Sequence, residues 1–239
     1  MGTSLVFLTG ASGGIGLALA RTVPWEGTRI VGISRRPAEG TEHLEADLAD
    51  PSSWAAVGAA FEQRLAGFHG DRVVFVHAAG TLDPIGFAGE VGTEAYAANV
   101  VLNSAAPQVL GHLFLAAARH LEMPRALVML TSGAASSVYP GWSSYGAGKA
   151  AVDQWVRDAG AEQDQRGGVL VLSVAPGTVD TDMQAQLRAV SEDDFPSRQK
   201  FVDLHAADNL TPADEVATKI WALLDRDLDN GSVVDLRKL

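Results

Sequence analysis

The sequence predicts a doubly wound α/β fold, a parallel β-sheet covered by helices on both faces. Short apolar runs alternate with longer segments of helical period, which is how such a sheet reads in one dimension. A glycine-rich turn, Thr9-Gly10-Ala11-Ser12-Gly13-Gly14-Ile15-Gly16, follows the first apolar run and opens the first helical segment. The chain has 239 residues, 47% apolar and 20% charged, enough for one sizeable core.

The apolar runs give seven strands: Ser4–Thr9, Arg29–Ser34, Glu42–Ala46, Arg72–Ala78, Arg125–Thr131, Val169–Val174 and Ser232–Leu236. Between the first two, Ile15, Ala18, Leu19 and Val23 recur at helical spacing, and Pro24 stops that helix. Helical patterning also covers Gln108–Leu121 and Val152–Gln163. No internal repeat, linker or composition break divides the chain, so one domain over 1–239 is expected. The least regular stretch is Gln184–Asn209, where Ser191, Asp193, Asp194 and Pro196 interrupt weak periodicity. Long irregular segments in compact domains are usually functional, and a substrate-binding segment is expected at about 183–209.

A formal net charge of −11 argues against general affinity for nucleic acid or an anionic membrane. With no cysteine there is no disulfide, thiolate metal site or cysteine nucleophile. The six histidines lack metal-ligand spacing, so no metal is expected. The run Leu5-Val6-Phe7-Leu8 begins without a basic n-region, and no apolar stretch is expected to reach the roughly 20 residues of a membrane span. The expectation is a soluble, cytoplasmic protein.

Glycines after a first strand let backbone N–H groups approach a pyrophosphate at the positive end of the following helix. Gly10-Ala11-Ser12-Gly13-Gly14 also reads as the G-x-S-x-G elbow of hydrolases, but that elbow follows a strand with several strands upstream. Only nine residues precede Gly10. The turn points instead to a dinucleotide. An NAD site needs a carboxylate at the end of the second strand for the ribose 2′-hydroxyl. Here stand Ser34-Arg35-Arg36, whose guanidiniums suit a 2′-phosphate, and NADP(H) is the expected cofactor. A solvated arginine pair is the plain alternative.

Tyr145-Gly146-Ala147-Gly148-Lys149 sets a phenol and an ammonium on one helix face. A free phenol has a pKa of about 10, and a cation within about 4–6 Å favours the phenolate. Tyr145 is thus able to give a proton to a nascent alkoxide or take one from an alcohol. Ser132, just beyond the strand end, is placed to hold the substrate oxygen. A surface tyrosine–lysine pair is the common alternative for this spacing alone.

Together these residues resemble the short-chain dehydrogenase/reductase family from end to end. Thr9 to Gly16 is similar to its T-G-x-x-x-G-x-G, Asp47-Leu48 to its adenine-contacting pair, and Ala79-Gly80 to the end of its N-N-A-G. Ser132, Tyr145 and Lys149 match its catalytic Ser, Tyr and Lys, spaced thirteen and four residues apart. Asn103, followed by Pro107, fits the catalytic Asn better than Asn99, which reads as a helix residue. Pro176-Gly177-Thr178-Val179-Asp180-Thr181-Asp182-Met183 resembles the segment that holds the nicotinamide carboxamide and exposes the pro-S hydride.

The chain departs from N-N-A-G at His77 and Ala78, where His77 reads as a satisfied strand-end histidine supporting the sheet. The extended epimerase branch also fits the glycines but needs a longer C-terminal lobe. Trp142-Ser143-Ser144-Tyr145, Val179 to Arg188 and the ending Gly231-Ser232-Val233-Val234-Asp235-Leu236 resemble the benzil reductase and sepiapterin-reductase-like branch.

The resemblance implies a Rossmann fold with seven parallel strands in the order 3-2-1-4-5-6-7. It implies NADP(H) held by Gly10, Ser12, Gly13, Gly14, Ile15, Gly16, Ser34, Arg35, Arg36, Asp47, Leu48, Ala79, Gly80, Tyr145, Lys149, Pro176, Gly177, Val179, Thr181 and Met183. It implies catalysis by Asn103, Ser132, Tyr145 and Lys149, and a substrate contacted by Ser132, Trp142 and Tyr145. The expected reaction is NADPH-dependent reduction of one carbonyl of a vicinal aryl diketone in a homodimer or homotetramer. The alternatives are an NADP-dependent alcohol dehydrogenase working oxidatively and a silent nucleotide-binding regulator.

Overall fold

The computed structural model describes residues 3–239. Its seven-stranded sheet consists of β1 (Ser4–Thr9), β2 (Arg29–Ser34), β3 (Glu42–Glu45), β4 (Arg72–His77), β5 (Arg125–Leu130), β6 (Leu170–Ala175) and β7 (Val233–Asp235). The order is β3-β2-β1-β4-β5-β6-β7, and every pairing is parallel. Both the strands and their order match the sequence expectation, with ends moved by one or two residues.

The strands read as unbroken apolar runs because both faces are covered. On one face, Phe7, Phe75, Leu127 and Met129 meet α2 (Trp54–Leu65), α4 (Ala106–Ala118) and α5 (Ser143–Asp164), with Phe61 and Phe114 among the rings between. On the other, Val6, Leu8, Val128 and Val174 meet α1 (Gly14–Arg21) and α8 (Ala213–Leu223). The Trp221 indole of α8 donates to the Leu19 carbonyl of α1 at 3.2 Å, tying these helices together.

Two sequence expectations need correction. Thr93–Ala118 is helical for 26 residues and contains an 18-residue window with a mean hydropathy of 1.4, long and apolar enough to cross a membrane by length and composition. It consists of α3 (Thr93–Val100), a π-helical turn at Val101–Ala105, and α4, whose Leu110 and Phe114 belong to the sheet core. The stretch read as irregular is largely helical, with α6 (Asp182–Ala189) and α7 (Arg198–Ala206). Its breakers fall together in the turn between them, where Ser191 donates to Asp194 Oδ2 at 2.6 Å and accepts from the Asp194 amide at 3.1 Å. Both helices are short and weakly apolar, and Leu187 and Phe201 anchor them to a separate cluster with Trp142, Tyr145 and Phe195.

Candidate active site

The carboxyl ends of β1, β2, β4, β5 and β6 converge on one edge of the sheet, where loops meet in doubly wound folds. Thr9 closes β1 by accepting from the amides of Ala78 and Ala79 at 3.0 and 3.1 Å. Gly10 follows with φ +68°, and a Cβ there would stand 2.9 Å from the Ala79 nitrogen. A Cβ on Gly16 would collide with the Gly10 carbonyl, so the first helix seats tightly under the turn. Helix α1 starts at an N-cap, Gly13, that supplies no side-chain bond, and its first turn carries no acid. The space beside Gly13 is open. An uncapped helix start facing open space is a seat for a phosphate.

A groove of about 370 Å³ runs from this turn past Ser34, Arg35, Asp47 and Leu48 to Ala79, Gly80 and Asn99. Asp47 accepts from the Ala49 amide at 3.0 Å, and the Trp54 indole holds the Leu48 carbonyl at 3.0 Å, so this loop is fixed. Of the two arginines, Arg35 lines the groove; Arg36 does not, and its carbonyl accepts from the Ser34 hydroxyl at 2.6 Å. A dinucleotide fits these residues in shape and charge.

A second cavity of about 360 Å³ joins the inner end, lined by Ser132, Tyr145, Lys149, Trp142 and the Pro176–Met183 segment. Ser132 stands just past β5 and accepts from the Ala134 amide at 3.2 Å, which orients its hydroxyl. Tyr145 lies in the first turn of α5, and Lys149 follows one turn on, its Nζ donating to the Leu130 carbonyl at 2.9 Å. Gly148 is needed between them because a Cβ there would stand 3.1 Å from Asn103 Cβ in the π-helical turn. Asn103 accepts from the Thr81 amide at 3.1 Å and donates to the Thr81 carbonyl at 2.8 Å. All four residues expected to be catalytic therefore meet at one place.

The electrostatics differ from the expectation. Burial pushes the Tyr145 phenol above its ordinary value, with the Ser132 hydroxyl pulling the other way. Lys149 Nζ lies 5.8 Å from the Tyr145 ring centre. Burial lowers Lys149 to about 8, against the pull of Asp153 one turn further on. Desolvation is the largest influence on both groups, and at Tyr145 it favours the protonated phenol.

Trp142 lines the cavity with its ring 5.3 Å from that of Tyr145. Phe195 lies 4.6 Å behind Trp142 and is fully buried, while Phe201 is nearly buried and also lines the cavity. Phe195 thus fixes α6 and α7 to the body, and Phe201 does that and forms wall. Ile15, Gly177, Val179 and Thr181 line the opposite side, and Gly14 lies against Thr181.

Three residues escaped the sequence reading. Asn99, taken only as a helix residue, is fully buried and donates to the Asp83 carbonyl at 2.6 Å. It also accepts from Asn103 at 3.0 Å. The second Asn at i−4 was its visible signal. His77 is buried as expected, but neither ring nitrogen makes a well-formed hydrogen bond among the described residues, and the nearby Ala79 backbone only weakly offsets its burial. Burial, then the Lys149 charge, lowers it to about 3. Arg237, in the last helical turn of the chain, lines the substrate cavity, and nothing in its local sequence marked it.

Comparison with known proteins agrees with this geometry. The short chain dehydrogenase family pattern matches residues 4–192. A benzil reductase ((S)-benzoin forming) of Bacillus subtilis is 31% identical over 239 residues, 98% of each chain. A sepiapterin reductase of Bos taurus is 30% identical over 259 residues, 98% of this chain and 95% of that one. The crystal structure of the KRED1-Pglu enzyme superposes with a TM-score of 0.80 at 25% identity, covering 97% of this chain and all of the other. The family match spans the glycine turn, the groove beside it and the Ser–Tyr–Lys set, and the chain belongs to the short-chain dehydrogenase/reductase family, whose members bind NAD(P) and interconvert CH–OH and C=O groups of small molecules.

Proposed function

We propose that this oxidoreductase is an NADPH-dependent carbonyl reductase acting on one ketone of a vicinal aryl diketone. The observation that carries the reading is the single cavity in which Ser132, Tyr145 and Lys149 face an aromatic wall led by Trp142. A vicinal diketone is a strong electrophile because each carbonyl withdraws density from the other. An apolar wall with one polar corner suits such a substrate, and benzil reductases are among the relatives.

Bound NADPH supplies the hydride. Gly13, Gly14 and Ile15 at the start of α1 would hold its pyrophosphate, Arg35 its 2′-phosphate, Asp47 and Leu48 its adenine end, and Val179 and Thr181 its carboxamide. Ser132 donates to the ketone oxygen and fixes it beside Tyr145. Tyr145, kept protonated by burial, transfers its phenolic proton to that oxygen as negative charge develops, completing the alcohol. Lys149 holds ribose hydroxyls and, charged below about 8, stabilises the phenolate left behind. Asn103, fixed by Thr81 and Asn99, would support a water-linked relay that returns a proton to Tyr145. The chain works as one domain, and the segment 183–209 closes the substrate side.

NADPH consumption with benzil, followed by chiral analysis of the product, tests the proposal. Stoichiometric benzoin supports it. Absence of diketone reduction, or equal turnover of acetophenone, removes the diketone assignment.

A further inference from the structure

The charged residues lining the substrate cavity are Lys149, Lys200 and Arg237, with no aspartate or glutamate among them. This occurs in a chain with 29 acidic and 18 basic residues, so the lining runs against the overall charge. Lys149 belongs to the catalytic set. The other two do not, and they come from distant elements.

Arg237 follows β7 in the C-terminal turn Leu236–Lys238. Its Nε and Nη2 donate to the two oxygens of Asp235 at 2.9 and 2.6 Å. The Asp235 side chain is 17% exposed and Arg237 57%, so the carboxylate braces the guanidinium from behind and leaves its outer part accessible. A guanidinium has five N–H groups in a planar fork. Asp235 takes two, leaving both hydrogens of Nη1 and one of Nη2 without a side-chain partner among the described residues. The Nη1–Nη2 edge is a second fork of the kind that matches a carboxylate.

Two glycines give the arginine its path. A Cβ on Gly177 would stand 3.1 Å from Arg237 Cγ, and one on Gly133 would stand 3.3 Å from Nη2. Gly133 directly follows Ser132, so Nη2 lies beside the loop that presents the substrate-holding hydroxyl. Lys200 of α7 adds a second cation to the same cavity lining. Its Nζ donates to the Tyr139 hydroxyl at 2.7 Å and has no carboxylate within 4.0 Å among the described residues.

We propose that Arg237, supported by Lys200, is the carboxylate-recognising pole of this cavity, and that the preferred substrate is an aromatic ketone bearing a carboxylate beside the reacting carbonyl. The inference rests on the reading that this cavity reduces ketones, and it goes beyond the neutral diketone. An aryl 2-oxo acid would place its ring toward Trp142, its ketone at Ser132 and Tyr145, and its carboxylate on the free Arg237 edge. The balance is that of any ketone reduction: the carbonyl carbon gains hydride from NADPH, the oxygen gains the Tyr145 proton, and the carboxylate is unchanged.

The test compares phenylglyoxylate, its methyl ester and benzil in wild type, Arg237→Gln and Arg237→Lys. Wild type should favour the acid over the ester by more than about tenfold in kcat/KM. A charge-assisted hydrogen bond contributes about 1.5–3 kcal/mol, so the acid-to-ester ratio should fall roughly ten- to a hundredfold in Arg237→Gln. Arg237→Lys should recover part of it. The ratio is insensitive to a general loss of active protein. Calorimetric titration of benzoate into the NADP⁺-loaded protein makes the same comparison without turnover, with binding weakened in Arg237→Gln. An unchanged ratio, or benzoate binding equal in wild type and Arg237→Gln, overturns the proposal. Weakened NADPH binding with an unchanged ratio overturns it too and assigns Arg237 to the cofactor. Reduction of benzil without acid preference leaves the diketone reading standing alone, and reduction of the acid but not benzil does the reverse.

Discussion

Asn103 donates from Nδ2 to Asn99 Oδ1 at 3.0 Å, and both amides reach the Thr81 carbonyl. The pair spans the junction of α3 with the π-helical turn. A π-turn shifts the register of a helix and is often found where function needs it. Asn99 holds Asn103 against the loop after β4, and in the proposed mechanism it would act as a positioning residue. Asn99→Ala strips partners from buried polar groups and should cost about 1–3 kcal/mol in urea unfolding. It should also lower kcat severalfold at saturating substrate. Lost stability with unchanged kcat would make Asn99 purely structural.

Tyr145→Phe removes the proposed proton donor and little else, since the ring stays in its cluster. General acid catalysis contributes about 10²–10⁴-fold, and kcat should fall by that order with NADPH affinity retained. More than about a tenth of wild-type kcat, with chemistry rate-limiting, would exclude Tyr145 from proton transfer.

Arg35 lines the groove and Arg36 does not, so the two should separate in cofactor choice. Arg35→Ala should weaken NADPH roughly ten- to a hundredfold and leave NADH nearly untouched. Arg36→Ala should have the smaller effect. Equal losses for both cofactors would assign Arg35 to structure.

The sheet, the glycine turn and the Ser–Tyr–Lys set were legible because each has a local signature. Doubly buried strands write continuous apolar runs, and Tyr145 and Lys149 share one helix face whatever surrounds them. Helices α6 and α7 were not legible, since Leu187 and Phe201 hold them by contacts with Trp142 and Phe195 that no period reveals. The raised Tyr145 pKa is hidden for a related reason: spacing shows the cation but not the burial that raises the phenol. Arg237 joins the cavity only because the C-terminal turn folds back past Gly133 and Gly177.

His77 gives the protein an acid-sensitive point inside the sheet. Its folded pKa of about 3 lies below the ordinary 6.5, so the unfolded chain takes up the proton first as pH falls. Stability present above about pH 6.5 is therefore lost progressively between 6.5 and 3, by about 2 kcal/mol at pH 5 from this group alone. His77→Asn removes that titration, while the carboxylates common to both proteins cancel. Urea unfolding at pH 7 and pH 5 should show wild type losing about 2 kcal/mol more than the variant. Equal losses would mean that His77 is protonated in the fold or gains a partner there.

In the proposed function Trp142 is the wall that an aryl ring meets. It is 7% exposed, lies 5.3 Å from the Tyr145 ring and 4.6 Å from Phe195, and so forms a wall that is itself supported from behind. Its indole nitrogen is buried without a hydrogen-bond partner among the described residues. The remaining benefit of the ring is area and stacking, about 0.5–1.5 kcal/mol per aromatic pair beyond burial. A rigid wall of this kind should lower KM for benzil and matter little for 2,3-butanedione, which has no ring to place. Trp142→Ala should raise KM for benzil about tenfold and for butanedione less than threefold. Truncating a buried tryptophan also costs about 3–5 kcal/mol of stability, so Trp142→Phe serves as the milder variant. It keeps an aromatic face and should show a smaller shift in the same direction. Steady-state kinetics on both diketones with both variants reads the ratio of KM values, which a partly unfolded sample does not change. A ratio equal to wild type in both variants would place the aryl ring elsewhere in the cavity and assign Trp142 to the support of Tyr145.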